Sequence, residues 1–555
     1  MLNFIKKDKL LIILIVIIAS ALRLWQIGNI PPSPDWDEAA LGYNAYSIMQ
    51  TGKDEYGKSF PIILRSFDDY KPALYTYFII PFIKLFDLNI VSVRLPSAIF
   101  GILTVLATYF LVTELFKKWE MGNGKMVSLL TSFLLAISPW HIQFSRIAFE
   151  ANVGLAFNVF AALFFLKSFK KPWFLVLAVL SGAASIYVYQ SEKVFTPLLF
   201  FSLSIIFRKE IIALPKKYIF LSLLTLFLVL LPMINYMLIN KEALARAQGV
   251  SIFSDQTPFL KENAKKLLED RKNKDFLGLV FDNRRILYAK TIISGYLSHF
   301  SFNWLFIRGD LIRHHAPSMG IMYLFELPFL LIGIYKLFFS NLNKKAKYLI
   351  FSWFLIAPIP ASITSGVPHA IRTLNFLPIF QILTAIGILV TFRKIGNLSS
   401  LSYLRNLIFS FFILFFIFNI SYYLDQYFVQ QNYFTSQDWQ YGYKETVFEI
   451  KKIEDKYDKI IVTNKPYLDQ SYMFFLFYLK YPPGTYQKEA QISSGGFREN
   501  HVFGKFEFRP IQWQKEEKNP RILYIGMPSD FPDGLKVIKV INFLDQKPAI
   551  EIVEG

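Results

Sequence analysis

The chain has no cysteine in 555 residues, which excludes disulfide staples and thiolate metal sites. The compartment stays open, because secreted and cytosolic proteins alike can lack the residue. Charge is also scarce: Asp, Glu, Lys and Arg together make up 18% of the sequence, against 54% hydrophobic residues and 58 phenylalanines. That balance argues against a string of soluble domains and for a membrane protein. Glycine-rich phosphate loops, internal repeats and low-complexity linkers are missing as well. Acidic residues fall short of basic ones, 41 against 60, for a formal net charge of +19. In a soluble protein that excess would invite a nucleic-acid reading. Here the short basic clusters sit between apolar runs, the pattern by which Lys and Arg are held on the cytoplasmic side, so no nucleic-acid partner is expected.

What the chain does have is a succession of apolar runs. Between Lys9 and Ile27 the only charged side chain is Arg23, and about 19 residues at 1.5 Å each nearly match a hydrocarbon core of roughly 30 Å. The run ends LRLWQIGNIPP, without the small residues of a cleavage site, and so reads as a retained span. Lys6, Lys7 and Lys9 put the N-terminus in the cytoplasm and the segment from Pro31 to Tyr70 outside. The next basic hinge, Lys117, Lys118 and Lys125, belongs inside. Of the two apolar segments between, 72–86 is short and interrupted by Pro81 and Lys84, and is assigned to the outer interface; 93–116 crosses inward.

Further runs near 126–139, 151–168, 172–190, 194–207, 218–238, 320–338, 348–365, 371–392 and 406–424 bring the expectation to about eleven transmembrane helices, range nine to thirteen. Basic groups at Lys167, Lys170 and Lys171, at Arg208, Lys209, Lys216 and Lys217, at Lys344 and Lys345, and at Arg393, Lys394 and Arg405 fall on inside turns. One segment runs against the trend. A polar insertion from about Asn240 to Arg285 falls outside yet contains the charged, helix-like KENAKKLLEDRKNKD. Long external segments are weakly constrained by charge.

The tail from Asp425 to Gly555 is different in kind. DKIIVTN, RILYIGMP and LKVIKVINFL are short β-branched runs bounded by turn formers, and TVFEIKKIEDKY has helical apolar spacing. The expected architecture is therefore an α-helical polytopic membrane domain over 1–424, with an external loop at 29–92, followed by an extracytoplasmic α/β domain over 425–555. The protein is expected in the cell membrane, multi-pass, with its tail domain outside.

The stretch PPSPDWDEAALGYNAYSIMQTG crowds Asp35, Asp37 and Glu38 at the membrane edge. Ser33 as a hydroxyl cap, Pro34 at the first helical position and carboxylates over the positive helix end predict a helix start, with Gly52 as terminator. Trp36, Ala39, Ala40, Tyr43, Tyr46 and Met49 recur at helical spacing, so the acids can be mere caps of an interfacial helix. They have company, however. FDDYKPALYTY brings Lys71 to the same edge, either to snorkel or to meet a lipid phosphate. SPWHIQFSRIAFEAN supplies His141, Arg146 and Glu150, the last two spaced four apart as a helical ion pair would be, structural or functional. TSGVPHAIRTLNFLP adds His369 and Arg372 at the outer end of another run. Ionisable groups gathered on one side at helix ends are costly and usually functional.

The order of an apolar first helix, DWDEAA, KPALY, RLPSAIFGILTVLATYFL and a late HAIRTLNFLP resembles the GT-C membrane glycosyltransferases, in particular the bacterial relatives of protein O-mannosyltransferases and lipid A aminoarabinose transferases. The likeness covers the first 240 residues or so clearly and the later helices loosely. It implies an inverting transfer of a sugar from a polyprenyl-phosphate donor to a glycan, lipid or protein acceptor at the outer face of the bilayer. It further implies Asp37 as catalytic base with Glu38 beside it, and Lys71 at the lipid phosphate. Two departures stand out. Tyr70, Lys71, Pro72 and Ala73 replace the usual Glu-Lys-Pro-Pro, and Ala39 to Gly42 lack the expected arginine, so lipid A specificity and a metal site are not carried over.

The chemistry fits independently: displacement at an anomeric carbon needs a base on the acceptor hydroxyl and cations on the departing phosphate. Asp37 and Glu38 are the catalytic candidates, and Lys71, Arg146, Glu150, His369 and Arg372 the substrate-binding ones. No cofactor is required and no metal ligand set is assigned, although a divalent cation is compatible with the scheme. The rival is a lipid-linked sugar flippase or transporter, which would favour repeated halves and polar residues near the midplane of broken helices.

Overall fold

The computed structural model describes residues 2–67, 69–117, 124–240, 249, 251–253, 257–339, 343–396, 402–493 and 498–555. The chain begins with α1, Leu2–Leu24, and reaches α2, Trp36–Thr51, through a loop whose carbonyls are held by Arg94 and Arg146. A two-stranded antiparallel hairpin follows, β1 (Ile63–Ser66) with β2 (Asp69–Pro72), pairing Leu64 with Lys71 and Arg65 with Tyr70. The apolar segment after it forms α3, Leu74–Phe86, with Pro81 inside the helix. The bundle continues with α4 (Ile90–Leu115), α5 (Gly124–Ile137), α6 (Pro139–Arg146), α7 (Ala151–Ser168), α8 (Phe174–Ile186), α9 (Glu192–Ile206), the short α10 (Arg208–Ile212) and α11 (Lys216–Ile239). The later apolar runs give the helices Glu326–Phe339, Lys344–Ile356, Ile379–Gly396 and Ser402–Asp425.

Among the described residues, five helical stretches are long and apolar enough to cross a membrane: 90–115, 151–168, 216–239, 374–396 and 402–435. The pair α5 and α6, bent by 55°, makes a sixth if taken as one broken span. The expected eleven is not reached by this measure, and the reason is physical. The runs at 172–190, 194–207, 320–338 and 348–365 contain helices of only 13, 15, 14 and 13 residues, about 20 Å at 1.5 Å per residue against a core of roughly 30 Å. In 172–190, 320–338 and 348–365 the apolar composition continues past the helix ends, 194–207 is itself only 14 positions long, and the first run, helical as α1, has Lys7, Asp8, Lys9 and Arg23 in its span-length window.

Two of these helices approach to backbone contact. A Cβ on Gly333 would stand 1.9 Å from the carbonyl oxygen of Leu383, and one on Gly387 1.8 Å from that of Phe329. Small residues facing a neighbouring backbone are how helices without a hydrophobic driving force between them gain dispersion energy.

The tail contains a mixed seven-stranded sheet. Its strands are β3 (Lys459–Val462), β4 (Gln491–Ser493), β5 (Asn500–Phe503), β6 (Phe506–Phe508), β7 (Ile522–Gly526), β8 (Val537–Asn542) and β9 (Pro548–Glu554), in the order β4-β5-β6-β3-β7-β9-β8. β3 is parallel to β6 and β7, and the remaining pairs are antiparallel. The runs DKIIVTN, RILYIGMP and LKVIKVINFL become β3, β7 and β8, and TVFEIKKI lies within the helix Tyr443–Ile453.

The tail is welded to α2. The Trp36 N–H donates to Gln440 Oε1 at 3.1 Å, the Tyr43 hydroxyl to the Tyr481 carbonyl at 3.0 Å, and Gln487 Nε2 to Ser47 Oγ at 3.0 Å. The helix Ser471–Leu479, SYMFFLFYL, packs against α2 and is buried from Ser471 to Phe477. A polar knot lies beside it: Arg65 pairs with buried Glu499 and stands 4.5 Å over the Tyr56 ring, Asn44 Nδ2 donates to Glu55 Oε1 at 3.0 Å, and Tyr486 meets His501 Nδ1 at 2.9 Å. Only the glutamate of the Arg65–Glu499 pair is buried, so the arginine reaches it from a half-exposed position.

Candidate active site

The site is built on the first turn of α2. Asp35, extended at φ −83° and ψ 175°, is the N-cap: its side chain accepts from the Glu38 N–H at 2.9 Å, while Glu38 Oε2 accepts from the Asp35 N–H at 3.4 Å. This capping box satisfies two orphan donors reciprocally. The cap therefore falls two residues later than the Ser33-Pro34 pattern predicts, because the Ser33 carbonyl is taken by Arg94 at 2.8 Å and the chain turns into the helix only afterwards. Gly52 ends the helix as expected, at φ 72° with its N–H on the Ile48 carbonyl.

Glu38 is fully occupied. Arg94 grips it with two bonds, Nε to Oε1 at 2.8 Å and NH2 to Oε2 at 2.7 Å, and the Ala148 N–H adds a third contact at 2.8 Å. Both partners are completely buried, and Arg94 also donates to the carbonyls of Ile27 and Pro31. Glu38 thus ties α2 to α4 and to the turn before α7, and it does not line the cavity beside Asp37. Arg146 is committed in the same way, to the carbonyls of Leu22, Trp25 and Ile30 at 2.9, 2.7 and 3.0 Å, with its guanidinium 4.9 Å from the Phe428 ring. It does not share a helix face with Glu150: α6 stops at Arg146, Ile147 is extended, and Glu150 is the cap residue of α7. His141 is likewise buried in the bundle, against Arg23.

The other five predicted residues converge. Asp37, Lys71, Glu150, His369 and Arg372 line one cavity of 140 Å³, together with Arg313, His314, Tyr189 and Gln190. Asp37 and Lys71 form an ion pair across it, the lysine side chain 8% exposed and the carboxylate 30%. The lysine is therefore fixed and nearly enclosed, and the acid is open to an arriving ligand. Arg313 enters from another loop, donating to Asp35 Oδ2 at 2.7 Å with its guanidinium 4.5 Å from the Trp36 ring. Burial pushes the Asp35 carboxyl up to about 7; the Arg313 charge works the other way, and the neighbouring Asp37 and Glu38 reinforce the rise. Arg372 is oriented by bonds of 2.7 Å to Thr364 Oγ1 and to the Ser365 carbonyl.

Three side chains, two of which (His314 and His369) line the cavity, have the composition of a cation site. Ligand atoms of Asp310, His314 and His369 lie within 4.8 Å of one another. Asp310 Oδ2 meets His314 Nδ1 at 3.0 Å and the Ala370 N–H at 2.7 Å. With Nδ1 on a carboxylate, the His314 Nε2 lone pair is the one left for a ligand. Burial opposes the charge on Asp310, but His314 and the Ala370 amide outweigh it and hold the carboxyl below its ordinary value. Of this set the sequence singles out His369 alone. GDLIRHH, with Asp310, Arg313, His314 and His315 inside six positions, was the signal available for the rest, since titratable groups that dense between apolar runs are rarely idle.

Residues 70–236 match the family model described as dolichyl-phosphate-mannose-protein mannosyltransferase. No curated protein matches the chain by sequence. In fold the chain is similar to ArnT from Cupriavidus metallidurans in the apo state, at a TM-score of 0.51 and 11% identity, over 99% of this chain and 98% of that one. The same protein bound to undecaprenyl phosphate gives 0.50 and 10%, over 98% and 97%. The oligosaccharyltransferase of Archaeoglobus fulgidus in the apo form gives 0.50 and 13%, over 85% of this chain but only 63% of that one, so the chain spans less than two thirds of that protein's length. The GT-C resemblance expected from DWDEAA, KPALY and HAIRTLNFLP is thereby met at the level of fold: a mostly helical membrane protein with a C-terminal sheet region.

Proposed function

We propose that the protein is a polyprenyl-phosphate-dependent glycosyltransferase, inverting at the anomeric carbon, working at the extracytoplasmic face of the cell membrane with its N-terminus in the cytoplasm. One observation carries the reading: an ion-paired carboxylate, Asp37, opens onto a small cavity that also holds Lys71, Arg313 and Arg372. The donor's phosphodiester, a monoanion like Asp37, competes with it for Lys71 and offers Arg372 a bidentate partner, and it gains a second negative charge as its bond to the sugar breaks, so these cations hold it most tightly in the transition state. Binding the donor then releases the Asp37 carboxylate. The acceptor hydroxyl attacks the anomeric carbon, its proton passes to Asp37, the sugar–phosphate C–O bond breaks, and the electron pair leaves with the polyprenyl phosphate under the lysine and arginine charges. Glu150, lining the same cavity, would orient sugar hydroxyls.

The solved relatives support the donor class, ArnT with undecaprenyl phosphate and the Archaeoglobus enzyme with a dolichol-phosphate and an inhibitory peptide. A glycan, lipid or protein acceptor would approach beneath the tail domain. No nucleotide or redox cofactor enters the scheme, and a divalent cation, if used, would sit on Asp310, His314 and His369. The deciding experiment compares wild type with Asp37→Asn in bilayers on a panel of radiolabelled polyprenyl-phosphate sugars. Loss of turnover by about two to four orders of magnitude with retained donor binding is expected. Undiminished turnover would demote Asp37 to a helix residue, and failure of wild type on every donor would favour the flippase reading.

A further inference from the structure

The basic insertion that defies the charge pattern has a face with nothing in the described residues to cover it. It consists of the helices Thr257–Asn273, Phe276–Phe281 and Arg284–Ser298. The middle one, FLGLVF, contains no polar side chain and no buried residue. On the first, Lys261, Lys265, Leu268 and Lys272 follow the i, i+4, i+7, i+11 rule and share one face, with Leu268 exposed between the lysines. The third exposes Ile293 and Leu297 one turn apart, and begins with Arg284 and Arg285. Over 257–298 nine basic residues stand against five acidic ones.

Position narrows what can cover this face. The insertion follows α11, whose own exposed Leu231, Ile234 and Leu238 make a lipid-facing stripe up to Ile239. Its third helix rests on the segment Ile359–Ser362, and the Ile252 N–H reaches the Ile363 carbonyl at 3.2 Å, one residue before the Thr364 that orients Arg372. The insertion is thus seated at the end of the bundle that carries the site, where the span gives out and headgroups begin. Apolar side chains flanked by long cationic ones are the composition of a helix lying in an interface, the stems among acyl chains and the ammonium groups at phosphates.

We propose that residues 257–298 form a paddle that lies in the bilayer leaflet on the side of the site and binds its anionic headgroups. Phe276, Leu277 and Phe281 enter the acyl boundary, while Lys261, Lys265 and Lys272 meet the phosphates. The inference stands apart from the transfer chemistry.

Because the chain has no cysteine, Leu277→Cys creates a unique labelling position remote from the cavity. The full-length protein would carry an environment-sensitive fluorophore there, in nanodiscs of phosphatidylcholine alone or mixed equally with phosphatidylglycerol, with and without nitroxide quenchers on the acyl chains. The expected result is blue-shifted, lipid-quenched emission that is several-fold more quenched in the anionic discs, and a return to the zwitterionic value when Lys261, Lys265 and Lys272 are changed to Glu. A label at Leu223→Cys on α11, quenched in both discs, verifies that each preparation is inserted and folded. Water-like emission in both lipids would overturn the proposal. So would quenching indifferent to lipid charge and to charge reversal, and so would a blue shift in detergent that grows with protein concentration, which would give the face to a second copy.

Discussion

At the scale of single residues, neighbours in sequence have opposite duties. Asp37 and Glu38 are adjacent, yet one opens onto a cavity and the other is locked by Arg94. Glu38→Gln would leave the Arg94 charge buried with half its pairing gone, and a loss of about 3–5 kcal/mol is expected, read as thermal unfolding in detergent. Asp37→Asn should instead unfold at nearly the wild-type temperature while losing turnover. Glu55 gives a pH signature. Burial, opposed by the Asn44 hydrogen bond, raises its carboxyl to about 8 in the folded protein from an ordinary value of 4.5. The fold therefore accommodates the protonated form: its contribution is complete below the unfolded value and is lost as pH rises through about 8. Glu55→Gln, neutral throughout, should melt with wild type near pH 5 and above it near pH 9, and parallel curves at both would refute the assignment. Residue identity made Asp37, Lys71, Glu150, His369 and Arg372 legible as site candidates. It could not separate Glu38 and Arg146 from them, because what disarms those two are partners 56 and more than 100 positions away.

At the scale of elements, the sequence reads strands and helix faces better than helix lengths. β3, β7 and β8 and the helix Tyr443–Ile453 fall where turn formers and periodicity put them, since both signals are local. Span count depends on where a helix stops inside an apolar run, and that is decided by tertiary contacts such as the turns around Tyr187 and Ala357. The contact between Glu326–Phe339 and Ile379–Gly396 shows how much such packing matters. Neither Gly333 nor Gly387 has room for a methyl group, because the obstructing atoms are backbone carbonyls. Gly333→Ala and Gly387→Ala should each cost about 1–3 kcal/mol, measured as a lower unfolding temperature. Gly366, with nothing within 4 Å of a Cβ, sits at positive φ and is a poor control; Gly396, also open but at ordinary φ, should tolerate alanine.

At the scale of the whole molecule, the domain division suggested by composition hides a dependence. A tail that begins where the last span ends looks separable, and its removal looks like a clean test of acceptor choice. The bonds from Gln440 to the Trp36 amide and from Tyr43 to the Tyr481 carbonyl, and the seating of Ser471–Leu479 on α2, say otherwise. Truncation after Asp425 is therefore expected to abolish donor hydrolysis along with transfer. Surviving hydrolysis in a folded truncated protein would show that α2 holds its place unaided.

That dependence sets a schedule for the life of the chain. Ribosomes deliver α2 and the Lys71 hairpin early, but their braces arrive in the final quarter of synthesis, Glu499 for Arg65 among the last. A half-made polypeptide with its first helices already in place has an unbraced Asp37 and an unclamped hairpin. The site thus takes its final shape only once the tail has been made, and a stalled or clipped chain holds the residues of the cavity without the braces that set them.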